Sequence, residues 1–130
     1  MLVKTSATPI GRVRGLGSAK SGTGHWWQQR VTASGNLILV LWFIVSLVRL
    51  PALDYSTVTT WLRQPVAAVP LLLLIVSVFW HFRLGLQVFI EDYLHEEGSK
   101  LLALLALNFY ALAGAAVAVF CVLKIALGAA

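Results

Sequence analysis

The stretch Pro70-Leu71-Leu72-Leu73-Leu74-Ile75-Val76-Ser77-Val78-Phe79-Trp80-His81-Phe82-Arg83-Leu84-Gly85-Leu86-Gln87-Val88-Phe89-Ile90-Glu91-Asp92-Tyr93 decides how the whole chain is read. From Gln64 to Phe82 it holds no Asp, Glu, Lys or Arg, and past Arg83 the apolar run continues to Ile90. At about 1.5 Å of rise per residue, roughly 20 such residues cross the ~30 Å hydrocarbon layer of a bilayer. Working outward, Val31 to Val48 and Leu101 to Leu123 are also free of charge over a membrane's thickness. Pro51 and Pro65 bracket the first connection, where one helix stops and the next starts. Asp92 to Lys100, with Glu96-Glu97-Gly98-Ser99 inside it, makes the second. The expectation is an all-α integral membrane protein: a basic arm over 1–24, then a three-helix membrane anchor over 25–130, with helices near 30–50, 65–93 and 100–127.

Composition excludes the other classes. The 130 residues are 59% hydrophobic and only 12% charged, against about 25% charged in soluble domains. A chain this short has too much surface for its volume to hide that apolar load from water. A soluble enzyme, a secreted disulfide scaffold and a disordered tail are ruled out. Cys121 is the only cysteine, so neither an internal disulfide nor a cysteine metal cluster is possible. Within Ala118-Val119-Phe120-Cys121-Val122-Leu123 it reads as a buried, inert side chain.

The arm carries Lys4, Arg12, Arg14 and Lys20, no acid, and several glycines. It has no apolar core that would make it a signal peptide, and its glycines argue against an amphipathic transit helix. It reads as a flexible topology determinant rather than a nucleic-acid arm. With Arg30 and Lys100 on the same side, against Arg49, Arg63 and Lys124 on the other, the positive-inside rule puts the N-terminus on the cytoplasmic (or matrix) face and the C-terminus opposite. The net charge of +5 mostly expresses that asymmetry. Most of the tryptophans, Trp26, Trp27, Trp42 and Trp61, lie near span ends as interface anchors do; Trp80 lies well inside. Ala111, Ala113, Gly114, Ala115, Ala116 and Ala118 in the third span predict close helix packing on one side.

Polar side chains inside lipid are costly and mark function or pairing. His81 lies roughly 16 Å along the helix from Pro70, near the bilayer middle. At about 100° per residue, Ser77, Gly85, Val88 and Asp92 fall within about 40° of it. A histidine with glycine one turn away leaves a hollow against which a flat ring can lie, and imidazole is a standard axial ligand of haem iron. Two other readings stay open. His81 can be a packed residue bonded to a serine or carbonyl, or part of a proton path with Asp92. Because His25 and His95 are both at the cytoplasmic side, a six-coordinate bis-imidazole haem needs its second ligand from another chain. Tyr93 is an interfacial aromatic that can also donate its phenol O–H to a ligand carbonyl. Arg30 either snorkels or meets haem propionates or Asp92. Arg83, about 160° from the His81 direction, does not share the His81 face. Glu96 and Glu97 read as solvated connector charges.

These residues resemble a family. Gly17-Ser18-Ala19-Lys20-Ser21-Gly22-Thr23-Gly24-His25-Trp26-Trp27-Gln28-Gln29-Arg30-Val31-Thr32-Ala33 looks like the leader of the succinate dehydrogenase hydrophobic membrane anchor subunit (D chain) in its alphaproteobacterial form. The run from His81 through Gly85 to Asp92-Tyr93 resembles that subunit's second-helix motif. The resemblance implies a membrane anchor of succinate:quinone oxidoreductase (respiratory complex II) that shares haem b with a cytochrome b-type partner anchor (C chain). It implies an iron–sulfur subunit and a flavoprotein subunit on the cytoplasmic face, which hold the iron–sulfur clusters and FAD, with ubiquinone as substrate. His81 matches the haem-iron ligand, Tyr93 the tyrosine that hydrogen-bonds ubiquinone, and Asp92 the acid of the quinone site. Arg30 is a looser match near the haem propionates or the quinone. The chain departs from the pattern at Ser34-Gly35-Asn36, a polar start to its first helix. The implied place is the bacterial inner (plasma) membrane rather than the mitochondrial one, with lipid and protein as partners and no nucleic acid. No flavin or nicotinamide motif and no catalytic nucleophile set is present, so enzymatic activity belongs to the complex and no catalytic residue is assigned here. The competing functions are a structural or assembly membrane protein without haem and a proton-path transporter subunit. The latter lacks the repeated halves of many transporters.

Overall fold

The computed structural model describes residues 8–10 and 22–128. Three long helices dominate, α1 (Gly22–Val48), α3 (Pro65–Tyr93) and α4 (Glu97–Ala126), with a short α2 (Tyr55–Leu62) between the first two. All three long helices are long and apolar enough to cross a membrane, as the charge-free runs require. At 27, 29 and 30 residues they are roughly 40–45 Å long, so their ends stand in the headgroup layers on both sides. Helix is the natural state there, because a spanning segment must satisfy its own backbone polar groups. The same need extends α1 back to Gly22, so Gly22–Gly24, expected in the flexible arm, are helical. The rest of that arm lies outside the described residues, apart from 8–10.

Helix α3 packs on both α1 and α4, whose backbones do not approach each other among the described residues. The spans therefore form a row with α3 in the middle. Its buried positions, Ala67, Ala68, Leu74 and Leu84, meet the neighbours, and Leu84 is only 2% exposed. No polar or charged side chain is buried among the described residues. Large apolar side chains such as Ile38, Leu41, Leu102, Leu112 and Val117 point outward, which water would penalise and lipid does not. Cys121, expected to be buried, is exposed. Apolar context along the sequence does not distinguish a lipid-facing position from a core one.

Ala111 and Gly114 of the third span serve the α3–α4 contact, while Ala113 and Ala116 are exposed. Ala111 is buried, and a Cβ built on Gly114 would lie 2.6 Å from Phe79 Cε1 and 2.9 Å from Cζ. Gly114→Ala is expected to destabilise the α3–α4 contact by about 1–3 kcal/mol, the usual cost of overpacking. A thermal melt of the detergent-solubilised complex checks this, and an unchanged midpoint would mean that the Phe79 ring swings clear at no cost.

The connections hold two features that the sequence reading left plain. Helix α2 fills the first, with Leu62 buried and Trp61 stacked on Trp42 at 6.2 Å between ring centroids. Asp54 stands at its N-cap position with no side-chain cap hydrogen bond, and its carboxyl is held below the ordinary range, first by the Ser56 hydroxyl. In the second connection Glu96 is not a mere solvated charge. It caps α4, accepting hydrogen bonds from Gly98 N (3.0 Å) and Ser99 N (2.7 Å). The Ser99 side chain, then the backbone N–H groups of Ser99 and Gly98, hold its carboxyl below the usual range. A depressed carboxyl contributes its stabilisation above the unfolded-state pKa and loses it as pH falls through the folded one. Amide exchange at the start of α4 should therefore quicken relative to the helix interior on acidification. In Glu96→Ala it should be fast already at neutral pH.

Candidate functional site

The contact between α1 and α3 is where the polar residues of both helices meet. Gly35 faces Ser77, with 3.8 Å between a Cβ built on the glycine and Ser77 Oγ. The odd polar start of the first helix thus has a use: a missing side chain lets α1 lie close to α3, and Ser34 turns back to the Arg30 carbonyl at 2.9 Å. One turn nearer the α1 N-terminus, Thr32 Oγ1 lies 2.9 Å from His81 Nδ1. The same oxygen lies 2.8 Å from the Gln28 carbonyl and 3.2 Å from that of Gln29. His81 Nε2 has no hydrogen-bond partner among the described residues.

His81 is about 24 Å along α3 from Pro65 and about 18 Å from Tyr93, well inside the span. The face beyond it is open. A Cβ on Gly85 would meet nothing within 4 Å, and Val88 and Asp92 are exposed. No cluster of three His, Cys, Asp or Glu that could hold a free metal ion occurs among the described residues, so His81 stands as a lone nitrogen donor beside an open apolar face. A planar macrocycle ligated at one axial position by imidazole fits that arrangement.

At the end of α3, Tyr93 is 69% exposed and its ring stacks on Phe89 with centroids 4.5 Å apart. Asp92 is exposed and its carboxylate has no partner among the described residues. Arg30 is not brought to it. Its guanidinium lies over the ring of Trp26, 5.4 Å from the centroid and one turn back on the same helix. The turn after α3 is secured by Lys100, whose Nζ donates to the Glu91 carbonyl at 3.0 Å, a favourable place for a cation at a helix C-terminus.

Arg83 belongs to the other side of α3. Its Nε donates to Asn108 Oδ1 on α4, and its guanidinium lies 5.6 Å from the Trp80 ring centroid. Asn108 in turn donates to the Leu104 carbonyl at 2.7 Å. Both line an apolar groove of about 640 Å³ with Phe79, Ala111 and Ala115. It lies away from His81 and holds no candidate chemistry beyond this pair.

The profile of the succinate dehydrogenase/fumarate reductase transmembrane subunit matches residues 4–115. The chain belongs to that family. It is 35% identical over 85 residues to the succinate dehydrogenase hydrophobic membrane anchor subunit of Rickettsia bellii, covering 65% of this chain and 68% of the relative. Against the subunit of the same name from Paracoccus denitrificans it is 29% identical over 122 residues, or 94% of each chain. Against the succinate dehydrogenase membrane anchor subunit of Reclinomonas americana it is 34% identical, covering 72% of this chain and 80% of that one. No solved structure matches the chain. As a member of this transmembrane family with three apolar helices, it is a multi-pass membrane protein.

Thr32 and Asn108 are the residues that sequence alone passes over. Each is a small polar residue whose partner is remote along the chain, so no local spacing marks it. The weak signal is depth: both lie within or beside spans where polar side chains are costly.

Proposed function

We propose that this chain is the membrane anchor subunit of succinate:quinone oxidoreductase, with His81 supplying one axial ligand of a haem b shared with a second anchor chain. Tyr93 and Asp92 help build the ubiquinone-reduction site. The observation that carries the haem reading is the free Nε2 of His81 beside the open face at Gly85. A haem bound there supplies one-electron redox capacity within the membrane. Nε2 of His81 would hold the iron and Gly85 would leave room for the flat ring, on a helix whose Leu84 is buried against its neighbours.

Reduction of ubiquinone to ubiquinol takes up two electrons and two protons, and the end of α3 suits the proton side. The Tyr93 hydroxyl can donate a hydrogen bond to a quinone carbonyl and orient it. The unpartnered Asp92 carboxylate beside it can hold a proton and deliver it. The iron–sulfur and flavoprotein subunits dock on the face where α1 begins and α3 ends, which the positive-inside rule makes cytoplasmic, in a bacterial inner membrane.

A dithionite-reduced minus oxidised spectrum of the complex, purified with its native partners in mild detergent, tests the haem reading. Sharp b-type bands are expected. Their absence from an intact complex would return His81 to a packed polar residue and leave the quinone reading on Tyr93 alone.

A further inference from the structure

The Thr32 hydroxyl sits among three polar atoms and has one proton to give. Two of the three, the carbonyl oxygens of Gln28 at 2.8 Å and Gln29 at 3.2 Å, can only accept. The third, His81 Nδ1 at 2.9 Å, accepts or donates according to the imidazole tautomer. Were the hydroxyl proton spent on Nδ1, the lone pairs of Oγ1 would face two carbonyl oxygens with nothing between them. Directed at the Gln28 carbonyl instead, it leaves Oγ1 free to accept, and then Nδ1 carries the imidazole proton. The neutral ring has only one such proton, so Nε2 keeps its lone pair. That nitrogen is the one without a partner among the described residues.

We propose that Thr32 is the positioning residue for His81: accepting from Nδ1–H, it fixes the tautomer and ring orientation that present the Nε2 lone pair to the haem iron. This rests on the haem reading above and adds a residue from a different helix to it. Acceptance at Nδ1–H also makes an imidazole a better electron donor, as outer-shell acceptors do for metal-bound histidines. The Gln28 carbonyl strengthens the effect, because a hydroxyl that donates is a better acceptor. A stronger donor favours ferric over ferrous iron, so Thr32 lowers the haem potential.

The experiment compares Thr32→Val and Thr32→Ser in the complete complex by haem-to-flavin ratio, low-temperature EPR of the ferric haem and redox titration of the b-type bands. In Thr32→Val, which keeps the β-branched shape, the reduction equilibrium of the haem should shift about tenfold toward the ferrous form. For a one-electron couple this is an upward shift of about 59 mV. Haem retention should fall by about tenfold or more. Thr32→Ser, which keeps the hydroxyl, should behave as the parent in potential and EPR. A Thr32→Val complex with parental potential and EPR overturns the role, and so does a Thr32→Ser complex shifted as far as Thr32→Val. Thr32→Ala is the second hydroxyl-free variant if valine prevents assembly. If neither assembles, Thr32 serves packing and the proposal fails. A parent complex without b-type bands overturns the haem reading itself and is distinguishable from all of these.

Discussion

Replacing His81 by alanine should give a complex that assembles in part but whose reduced-minus-oxidised spectrum has lost its b-type bands or shows them in altered form. The expectation follows from the scarcity of donors. The remaining histidines, His25 and His95, lie at the starting end of α1 and just past the end of α3, far from the middle of the span. No other side chain within reach of the Gly85 face carries an imidazole nitrogen. Removing a metal's outer-shell partner typically costs 10–100-fold in affinity, and loss of the ligand itself costs at least about that much. Assembly survives in part because α3 is fixed by apolar contacts at Leu74 and Leu84 that the substitution does not touch. The measurement is haem per flavin together with the band positions, and unchanged bands at full stoichiometry would exclude His81 as the ligand.

Tyr93→Phe should separate quinone chemistry from everything else. The ring contact with Phe89 survives the change, and the hydroxyl has no partner to lose among the described residues. Assembly, haem content and succinate oxidation with a water-soluble dye should therefore match the parent. Turnover with ubiquinone should fall between about 10- and 100-fold. A hydrogen bond to a neutral carbonyl is worth only about 1 kcal/mol, but a donor aimed at an oxygen that gains negative charge as reduction proceeds contributes more. Normal turnover with ubiquinone would remove Tyr93 from the site. A loss of dye-linked activity in step with ubiquinone activity would point to a docking defect instead.

The three spans were legible because lipid imposes one rule that a linear sequence displays directly, the absence of charge over a helix long enough to cross. His81 was legible for the complementary reason, as an imidazole deep in such a run. Asp92 and Tyr93 were placed at the end of α3 by counting residues. What the sequence did not display is whatever depends on how two helices meet. That Thr32 faces His81, that Gly35 faces Ser77 and that Arg83 reaches Asn108 are consequences of register between helices. A helical wheel describes one helix at a time. Of the alternatives open for Arg30, contact with Asp92 is not made in the structure, where the guanidinium lies over a tryptophan one turn away on its own helix. Helix α2 and the Glu96 cap were hidden by length: a single cap and two turns of helix carry too few residues to show a period.

The order of the helices bears on the sequence of events at the ribosome. Helix α4 packs on α2 and α3, its backbone does not approach α1 among the described residues, and translation delivers it last. By the time Tyr93 has been added, the nascent chain already holds both sides of the Thr32–His81 contact, the glycine at 85 and the aromatic at the end of α3. The Arg83–Asn108 clasp, the Lys100–Glu91 hydrogen bond and the packing of Gly114 on Phe79 wait for the final span. Every side chain proposed for the haem and the quinone is thus encoded upstream of the second connection, and a chain stopped after α3 already carries them all.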